Sequence, residues 1–288
     1  MTVKVNGSEA VGSSNLANAV AKAGADSVTE LEVVSGRLTA DDYDWMNTGI
    51  MSTIEKLVIA EGVESENKTL PGGTAQSAPN LTYLEIHGVE TAESAAIMAN
   101  NLETLILPDI RTLGTNSFGT GTNGTHNLTT VEMPEVTDLG SNTFSRRTGL
   151  PELNFPKLER IGSQCFYECG PVRIVTNQVP VITDDNAFEK GSVIVVPYAA
   201  YTAYVEENGT DQIGNVTLEA VLPTDVLTVT MNGKTYGADS LEDAVGAAVE
   251  AGDILSAASI TEIEFLAGTV TDQDLAFIKA NAKTMRNV

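Results

Sequence analysis

Four phenylalanines recur at nearly equal steps along the middle of this 288-residue chain, and their spacing constrains the fold more than any other feature. Phe118, Phe144, Phe166 and Phe188 are separated by 26, 22 and 22 residues. Each closes a similar short frame, which reads TLGTNSF, DLGSNTF, RIGSQCF and ITDDNAF. A fixed period in this range is typical of a solenoid, in which units stack because none can bury its apolar face alone.

A leucine-rich frame of the form L-x-x-L-x-L-P precedes the first three phenylalanines and predicts one strand per unit. Its apolar positions are Leu102, Leu105 and Leu107, then Leu128, Val131 and Met133, then Leu150, Leu153 and Phe155. Successive side chains of a strand point to opposite faces, so these residues should face the core and the residues between them should line one exposed parallel sheet. The candidates for partner contact on that sheet are Tyr83, Glu85, Thr104, Ile106, Thr130, Glu132, Glu152 and Asn154.

A second, larger repetition brackets the repeats, because residues 2–47 and 228–279 can be aligned with each other. Each copy opens with alternating apolar residues before Asn-Gly, at residues 6–7 and 232–233, which is the strongest short hairpin signal. An amphipathic helix should follow in each copy, from near Ser14 to Gly24 and from near Ser240 to Gly252. The apolar faces of these two helices comprise Leu16, Val20 and Ala23, and Leu241, Val245 and Val249.

Each copy then continues with a strand and a second helix, for which Thr39 and Thr271 are the predicted N-caps. Because 277 − 45 = 232 aligns the second helices, Val288 corresponds to Lys56, immediately before the next strand would begin. We therefore expect this chain to be a slice of a longer protein. The predicted strand 260–266 should then have an unpaired edge.

The segment after the repeats indicates their C-terminal cap. An apolar strand ends at Pro197, and Tyr198, Tyr201 and Tyr204 follow at helical spacing. These tyrosines should cover the exposed end of the last repeat. The predicted organisation is a first module at 1–51, a repeat array with a Tyr-rich cap at 52–205, a linker at 206–225 and a second, truncated copy of the module at 226–288.

The combination of L-x-x-L-x-L-P, I/L-G-x-x-x-F and a terminal Tyr-rich helix resembles the BspA-like leucine-rich repeat proteins, common among surface proteins of gut and oral bacteria. The resemblance covers residues 52–205, with a looser fit at 171–191 and an insertion at 119–126. It implies an α/β fold, a leucine-rich-repeat solenoid with a parallel sheet, flanked by two similar small α/β modules. It also implies a secreted or surface-anchored protein that mediates adhesion or protein interaction, with no reaction.

The charge of the chain restricts its partners. With 39 acidic against 16 basic residues, the net charge is −23, which argues against binding nucleic acid or an anionic membrane surface. No apolar run approaches the roughly 18 residues of a membrane-spanning helix. The start lacks the pattern of a signal peptide, so the protein is cytosolic or its export signal is missing from this chain.

No sequence motif predicts catalysis or a cofactor. Cys165 and Cys169 are predicted to be buried thiols of the repeat core, and His87 and His126 to be isolated loop residues. The acidic pairs at 41–42 and 184–185 fit helix caps and turns. The sequence thus favours a non-enzymatic module that binds a protein or glycan ligand. The alternatives are a structural spacer in a larger surface protein and a hydrolase whose carboxylates meet in a pocket.

Overall fold

The computed structural model describes residues 1–75, 78–118, 128–221, 227–238 and 240–281. Its contacts divide the chain into two compact units. The first comprises residues 1–196 and 200–219, and the second comprises residues 197–199 and 220–288. Each unit has a hydrophobic core of its own.

The first unit begins with a small module whose turns and helix ends are fixed by local hydrogen bonds. Its elements are β1 (Thr2–Val5), β2 (Val11–Gly12), α1 (Leu16–Ala23), β3 (Glu30–Ser35), β4 (Arg37–Leu38) and α2 (Ala40–Gly49). The N-cap of α1 is Asn15, one residue after the predicted Ser14, because its side chain accepts the N–H of Asn18. The predicted cap of α2 is confirmed, since Thr39 and Asp42 form a reciprocal capping box.

Short strands then follow one another along the repeats, with two in most units of the array rather than the single strand that the leucine-rich frames predict. They are β5 (Lys56–Ile59), β6 (Glu64–Ser65), β7 (Thr69–Leu70), β8 (Tyr83–Ile86), β9 (Thr91–Ala92), β10 (Thr104–Ile106), β11 (Thr112–Leu113), β12 (Thr130–Glu132), β13 (Asp138–Leu139), β14 (Leu153–Asn154), β15 (Arg160–Ile161), β16 (Arg173–Val175), β17 (Val181–Ile182) and β18 (Ser192–Pro197). Helix α3 (Tyr198–Asn208), β19 (Gln212–Ile213) and β20 (Val216–Val221) follow.

These strands form layered, mainly parallel sheets. A seven-stranded sheet has the order β12-β10-β8-β5-β3-β1-β2, and a six-stranded sheet has the order β17-β15-β13-β11-β9-β7. A five-stranded sheet has the order β14-β16-β18-β20-β19, and β4 pairs with β6. The predicted solenoid with a parallel sheet is confirmed. The first module is part of it, because β3 pairs in parallel with β5.

The phenylalanine ladder is confirmed and forms part of the first core. All four rings are buried. Successive ring centroids lie 5.7, 5.4 and 4.9 Å apart, and the rings are stacked. The apolar residues of the strands pack around them, although Val131 and Leu150 are only partly buried.

The glycines of the first three frames are explained by the close approach of neighbouring backbones. A Cβ atom on Gly140 would lie 2.5 Å from the carbonyl oxygen of Leu113, and one on Gly162 would lie 2.6 Å from the backbone of Gly140. Gly114 has the same lack of space. At these three positions, therefore, only glycine fits between the neighbouring backbones.

A buried arginine also holds the repeats together, and sequence reasoning missed it. Arg147 is fully buried. Its guanidinium donates to the carbonyl oxygens of Phe118 at 2.8 Å, Ala99 at 2.7 Å and Asn100 at 3.4 Å. The charge is thus stabilised by backbone carbonyls of an earlier part of the array.

Residues 206–225 were predicted to be a linker, and the structure corrects this prediction over the described part of that range, residues 206–221. β20 lies beside β18 and β19 in the five-stranded sheet. Val216 and Leu218 are buried, so β20 extends the first core. Of the three predicted cap tyrosines, Tyr201 and Tyr204 pack against the same core, whereas Tyr198 belongs to the second unit, where its hydroxyl donates to the carbonyl oxygen of Thr235.

The second unit has the elements of the first module in the same order, except that its described residues include no counterpart of β4. It contains β21 (Leu227–Met231), β22 (Lys234–Ala238), α4 (Leu241–Glu250), β23 (Ile263–Ala267) and α5 (Asp272–Asn281), and its sheet has the order β22-β21-β23. Ser240 caps α4, as predicted. Val249, predicted to lie on the apolar face of α4, is instead 39 % exposed. The last strand begins at Ile263 rather than at Ile260.

Candidate interaction surface

The seven-stranded sheet presents one continuous exposed face, which is defined by the strand register. Tyr83 lies beside Thr104 and Thr104 beside Thr130, while Glu85 lies beside Ile106 and Ile106 beside Glu132. Both rows continue through β5, where Lys56 neighbours Tyr83 and Val58 neighbours Glu85. The sheet face therefore comprises Lys4, Glu30, Glu32, Lys56, Val58, Tyr83, Glu85, Thr104, Ile106, Thr130 and Glu132.

The structure brings six of the eight predicted contact residues onto this face, whereas the other two lie at or in β14, which neighbours β12 but belongs to another sheet. Asn154 pairs with Val175, in the five-stranded sheet. Glu152, which precedes β14, accepts a hydrogen bond of 2.9 Å from Arg173 Nε. The prediction of a single row of exposed strands is wrong at this point, because β14 hydrogen-bonds to β16 in a different sheet from β12.

The first module and β5, the strand that follows it, contribute face residues that sequence reasoning missed. Lys4, Glu32 and Val58 alternate with buried residues in the strands VKV, ELEVV and KLVI. This is the same alternation that identified Tyr83 and Glu85. It was overlooked because the module was interpreted only as a cap.

A cluster of polar groups lies in the middle of the sheet face. The Tyr83 hydroxyl donates to Glu85 Oε2 at 2.6 Å, and His87 Nε2 lies 2.9 Å from Glu85 Oε1. Lys56 Nζ lies 4.5 Å from the centroid of the Tyr83 ring, which is a cation–π geometry. His87 is therefore a half-buried member of this cluster, not the isolated loop residue that was predicted.

The charges of this cluster are fixed by its hydrogen bonds. The bond to Glu85 and partial burial raise the pKa of Tyr83 to about 12. The bonds from Tyr83 and His87 keep the pKa of Glu85 below its ordinary value. At neutral pH the carboxylate is therefore ionised and the phenol is protonated, so the Tyr83 ring is held in place with its hydroxyl already bonded.

A shallow depression adjoins the cluster, where the first module meets the array. It is lined by Lys4, Gly7, Glu30, Leu31, Glu32, Lys56 and Val58, and its volume is about 100 Å³. Lys4 Nζ lies 3.0 Å from Glu32 Oε1 across it. Pockets for drug-sized ligands measure about 300–1,000 Å³. The depression is therefore too small to enclose such a ligand.

The acidic pairs considered for catalysis have structural roles. Asp42 belongs to the capping box of α2. Asp184 accepts hydrogen bonds from the Asn186 N–H and the Ser163 hydroxyl. Over the described ranges, no group of three or more His, Cys, Asp or Glu side chains is placed to hold a metal ion. His126 lies outside the described residues.

The two cysteines are free and buried, as predicted. Burial raises the pKa of Cys169 to about 12 and raises that of Cys165 further. Cys169 Sγ lies 3.0 Å from the carbonyl oxygen of Phe144, to which it donates. Neither thiol has the lowered pKa of a reactive cysteine.

Comparison with known families gives one match. Residues 120–196 match the model of the BspA type leucine rich repeat region, in six copies. Searches of curated protein sequences and of solved structures found no significant match. Among the described residues, no helix has the length and apolar character needed to cross a membrane.

Proposed function

We propose, from the premise that this chain is a BspA-type leucine-rich repeat protein, that it is a non-enzymatic interaction module of the cell surface or the extracellular space. Leucine-rich repeats of this family suggest a role in protein interaction. In our proposal the ligand is bound by the sheet face, and a protein ligand is favoured over a glycan. Family membership supports an interaction module in general. Three features of the sheet face support it as the binding surface and a protein as the ligand: the cluster around Tyr83, the apolar side chains beside it and the excess of acidic residues.

The cluster around Tyr83 is the observation that carries the proposal. Tyrosine gives a large amphipathic contact area with few rotatable bonds, and it is enriched in the centres of interfaces. Here Lys56 and Glu85 already hold the ring. Binding would therefore cost little side-chain entropy, because the ring is ordered beforehand. The partly exposed side chains of Val58 and Ile106 lie on the same face and add apolar surface.

The shape and charge of the face favour a protein with basic groups. Glu30, Glu32, Glu85 and Glu132 outnumber Lys4 and Lys56 among the residues of this face. Complementary charge speeds association and selects partners. Lys56 also occupies one side of the Tyr83 ring, which reduces the area on which a sugar ring could stack.

The spacer alternative requires a uniformly polar sheet. The presence of Tyr83, Val58 and Ile106 on the face does not favour it. The hydrolase alternative requires carboxylates that meet in a pocket. Glu85 is instead engaged by Tyr83 and His87 on an open face.

The test is a selection of binding peptides from a phage-displayed library on the full chain, in parallel with a glycan array. Selected ligands are then measured against Tyr83→Ala and against Tyr167→Ala. Tyr167 is a matched control, because its hydroxyl also interacts with a glutamate, Glu168, but it lies in a turn outside the strands. Loss of a hot-spot side chain costs 2 kcal/mol or more, which is about 30-fold in affinity.

We expect Tyr83→Ala to weaken the selected peptides by about 30-fold and Tyr167→Ala by less than about twofold. Equal effects of the two substitutions would contradict the assignment of the face. Glycan binding that depends on Tyr83, without peptide binding, would identify the ligand class as carbohydrate. Failure to select any ligand would favour the spacer.

A further inference from the structure

The two modules are built by the same hydrogen bonds. Asn6 Oδ1 accepts the N–H groups of Thr29 and Glu30, and Asn232 Oδ1 accepts those of Thr261 and Glu262. Asp42 accepts the first N–H of α1, and Asp274 accepts the first N–H of α4. Since 274 − 42 = 232, a residue of β23 or α5 corresponds to the residue 232 positions earlier.

In the first module, the first repeat covers the outer edge of β3 and α2. β5 pairs in parallel with β3, so that Leu57 lies beside Leu31 and Ile59 beside Val33. β6 pairs in parallel with β4, and the hydroxyl groups of Tyr43 and Ser65 are hydrogen-bonded. As a result Leu38 and Met46 are fully buried and Tyr43 is 2 % exposed.

In the second module, the corresponding surface is uncovered. Within the described ranges, β23 pairs with β21 alone. Val270, which corresponds to Leu38, is 37 % exposed, and Leu275, which corresponds to Tyr43, is 54 % exposed. Phe265 and Ile278, which correspond to the buried Val33 and Met46, are half-buried. Side chains at these positions are thus buried in the first copy, whereas in the second copy they are exposed or half-buried.

We propose that the outer edge of β23 and α5 is a docking site for a leucine-rich repeat joined to α5, which pairs with β23 in parallel in the register of β5 on β3. A parallel strand requires a crossover connection, and in the first module α2 is that crossover, with residues 50–55 leading into β5. Helix α5 has the same place in the second module. This geometry favours a covalently joined repeat over a strand of another molecule.

The same equivalence specifies the chemistry of the docked repeat. Its strand carries apolar residues where β5 has Leu57 and Ile59, because these face Ile263 and Phe265. At the position of Ser65 it carries an apolar or small residue. Tyr43 uses its hydroxyl to bind Ser65, whereas Leu275 has no polar group to offer.

The experiment joins a second copy of residues 50–221 directly after Asn281 of the full chain. Leu275→Cys reports on the docking site, and Leu255→Cys, at a residue that is 91 % exposed, is the matched control. The rate of reaction with a maleimide is measured for each introduced thiol. In the chain without the added copy, both thiols should react at similar rates.

In the extended chain we expect the thiol at position 275 to react at least about tenfold more slowly, since a buried group reacts only after local opening. The thiol at position 255 should react at an unchanged rate. A second extended chain, with Leu57→Lys and Ile59→Lys in the added copy only, should restore fast reaction at position 275.

The added copy contains its own Cys165 and Cys169, which are buried when the repeats are folded and therefore report on its folding. If these thiols stay protected while position 275 reacts as fast as before, the proposal is overturned. It is also overturned if the added copy does not fold, because a docking site for a repeat should support the array that follows. Protection of position 275 in a dimer of the unextended chain would show that a second copy covers the site instead.

Discussion

Replacing Phe144 by alanine tests whether the phenylalanine ladder holds the array together. The ring is fully buried and is stacked between Phe118 at 5.7 Å and Phe166 at 5.4 Å, with Phe155 at 6.5 Å. Truncation of a buried phenylalanine costs about 3–5 kcal/mol, depending on how far the surroundings can collapse. Neighbouring units are held at a spacing fixed by the close glycine contacts, so collapse is limited. We therefore expect a loss of about 4–5 kcal/mol for Phe144→Ala.

Phe188 provides an internal comparison because it lies at the end of the ladder. Its ring stacks on that of Phe166, with the ring centroids 4.9 Å apart. Phe188→Ala should cost about 3 kcal/mol, because each aromatic pair adds about 0.5–1.5 kcal/mol beyond its buried area. Tyr167→Ala, on the surface, should change stability by less than about 0.5 kcal/mol.

The assay is urea denaturation followed by the fluorescence of Trp45, the single tryptophan of the chain, which packs against the first core. The second unit, which contains no tryptophan, should contribute little to this signal. If Phe144→Ala lowers the free energy of unfolding by less than about 1 kcal/mol, the reasoning is refuted, because removing a closely packed, buried ring should cost more than this. Equal losses at positions 144 and 188 would show that stacking on two sides adds nothing.

Further predictions concern the buried arginine, the sheet face and the thiols. Arg147→Met should destabilise the first unit by about 2–4 kcal/mol, because it removes the guanidinium that donates to the buried carbonyl groups of Phe118 and Ala99, and a loss below about 0.5 kcal/mol in the urea assay would contradict this. Tyr83 should ionise with a pKa of about 12 in ultraviolet titration, and Glu85→Gln should return its pKa towards the ordinary value of about 10, whereas an unchanged pKa would show that Glu85 is not its partner. Because folding lowers the pKa of Glu85, the ionised carboxylate should stabilise the fold above its ordinary pKa of about 4.3, and this stabilisation should be lost as the pH falls through the lowered pKa. The difference in stability between the wild type and Glu85→Gln should therefore shrink in acid. A difference that stays constant with pH would contradict this prediction. Cys165 and Cys169 should react with a disulfide reagent only after unfolding, and immediate reaction of both in the native protein would contradict their burial.

Local patterns predicted much of the fold correctly. The spacing of Phe118, Phe144 and Phe166 predicted the stacked units, because a side chain repeated at one position of each unit must meet its copies. The capping boxes were also predictable, since Thr39 and Asp42 lie within one helical turn. In both cases the interacting residues have a fixed relation along the chain.

Long-range pairing decided the rest. Arg147 binds carbonyl groups 29 to 48 residues earlier in the chain, and nothing in its local sequence indicates such partners. The alternation of apolar and polar residues in β14 correctly predicted that Leu153 is buried. It could not show which sheet the strand would join.

The sequence by itself determined that this chain is a stack of repeats and which side chains of each strand face its core, because the alternation of a strand and the period of a solenoid are encoded locally. Only the tertiary structure decided that Lys56 of β5 lies against Tyr83 of β8 and that the first module extends the sheet face. It also decided that, among the described residues, the outer edge of β23 has no paired strand while the equivalent edge of β3 is paired. The physical reason is that hydrogen bonds between strands select neighbours in space, and an alternating pattern specifies a face without specifying the strand beside it.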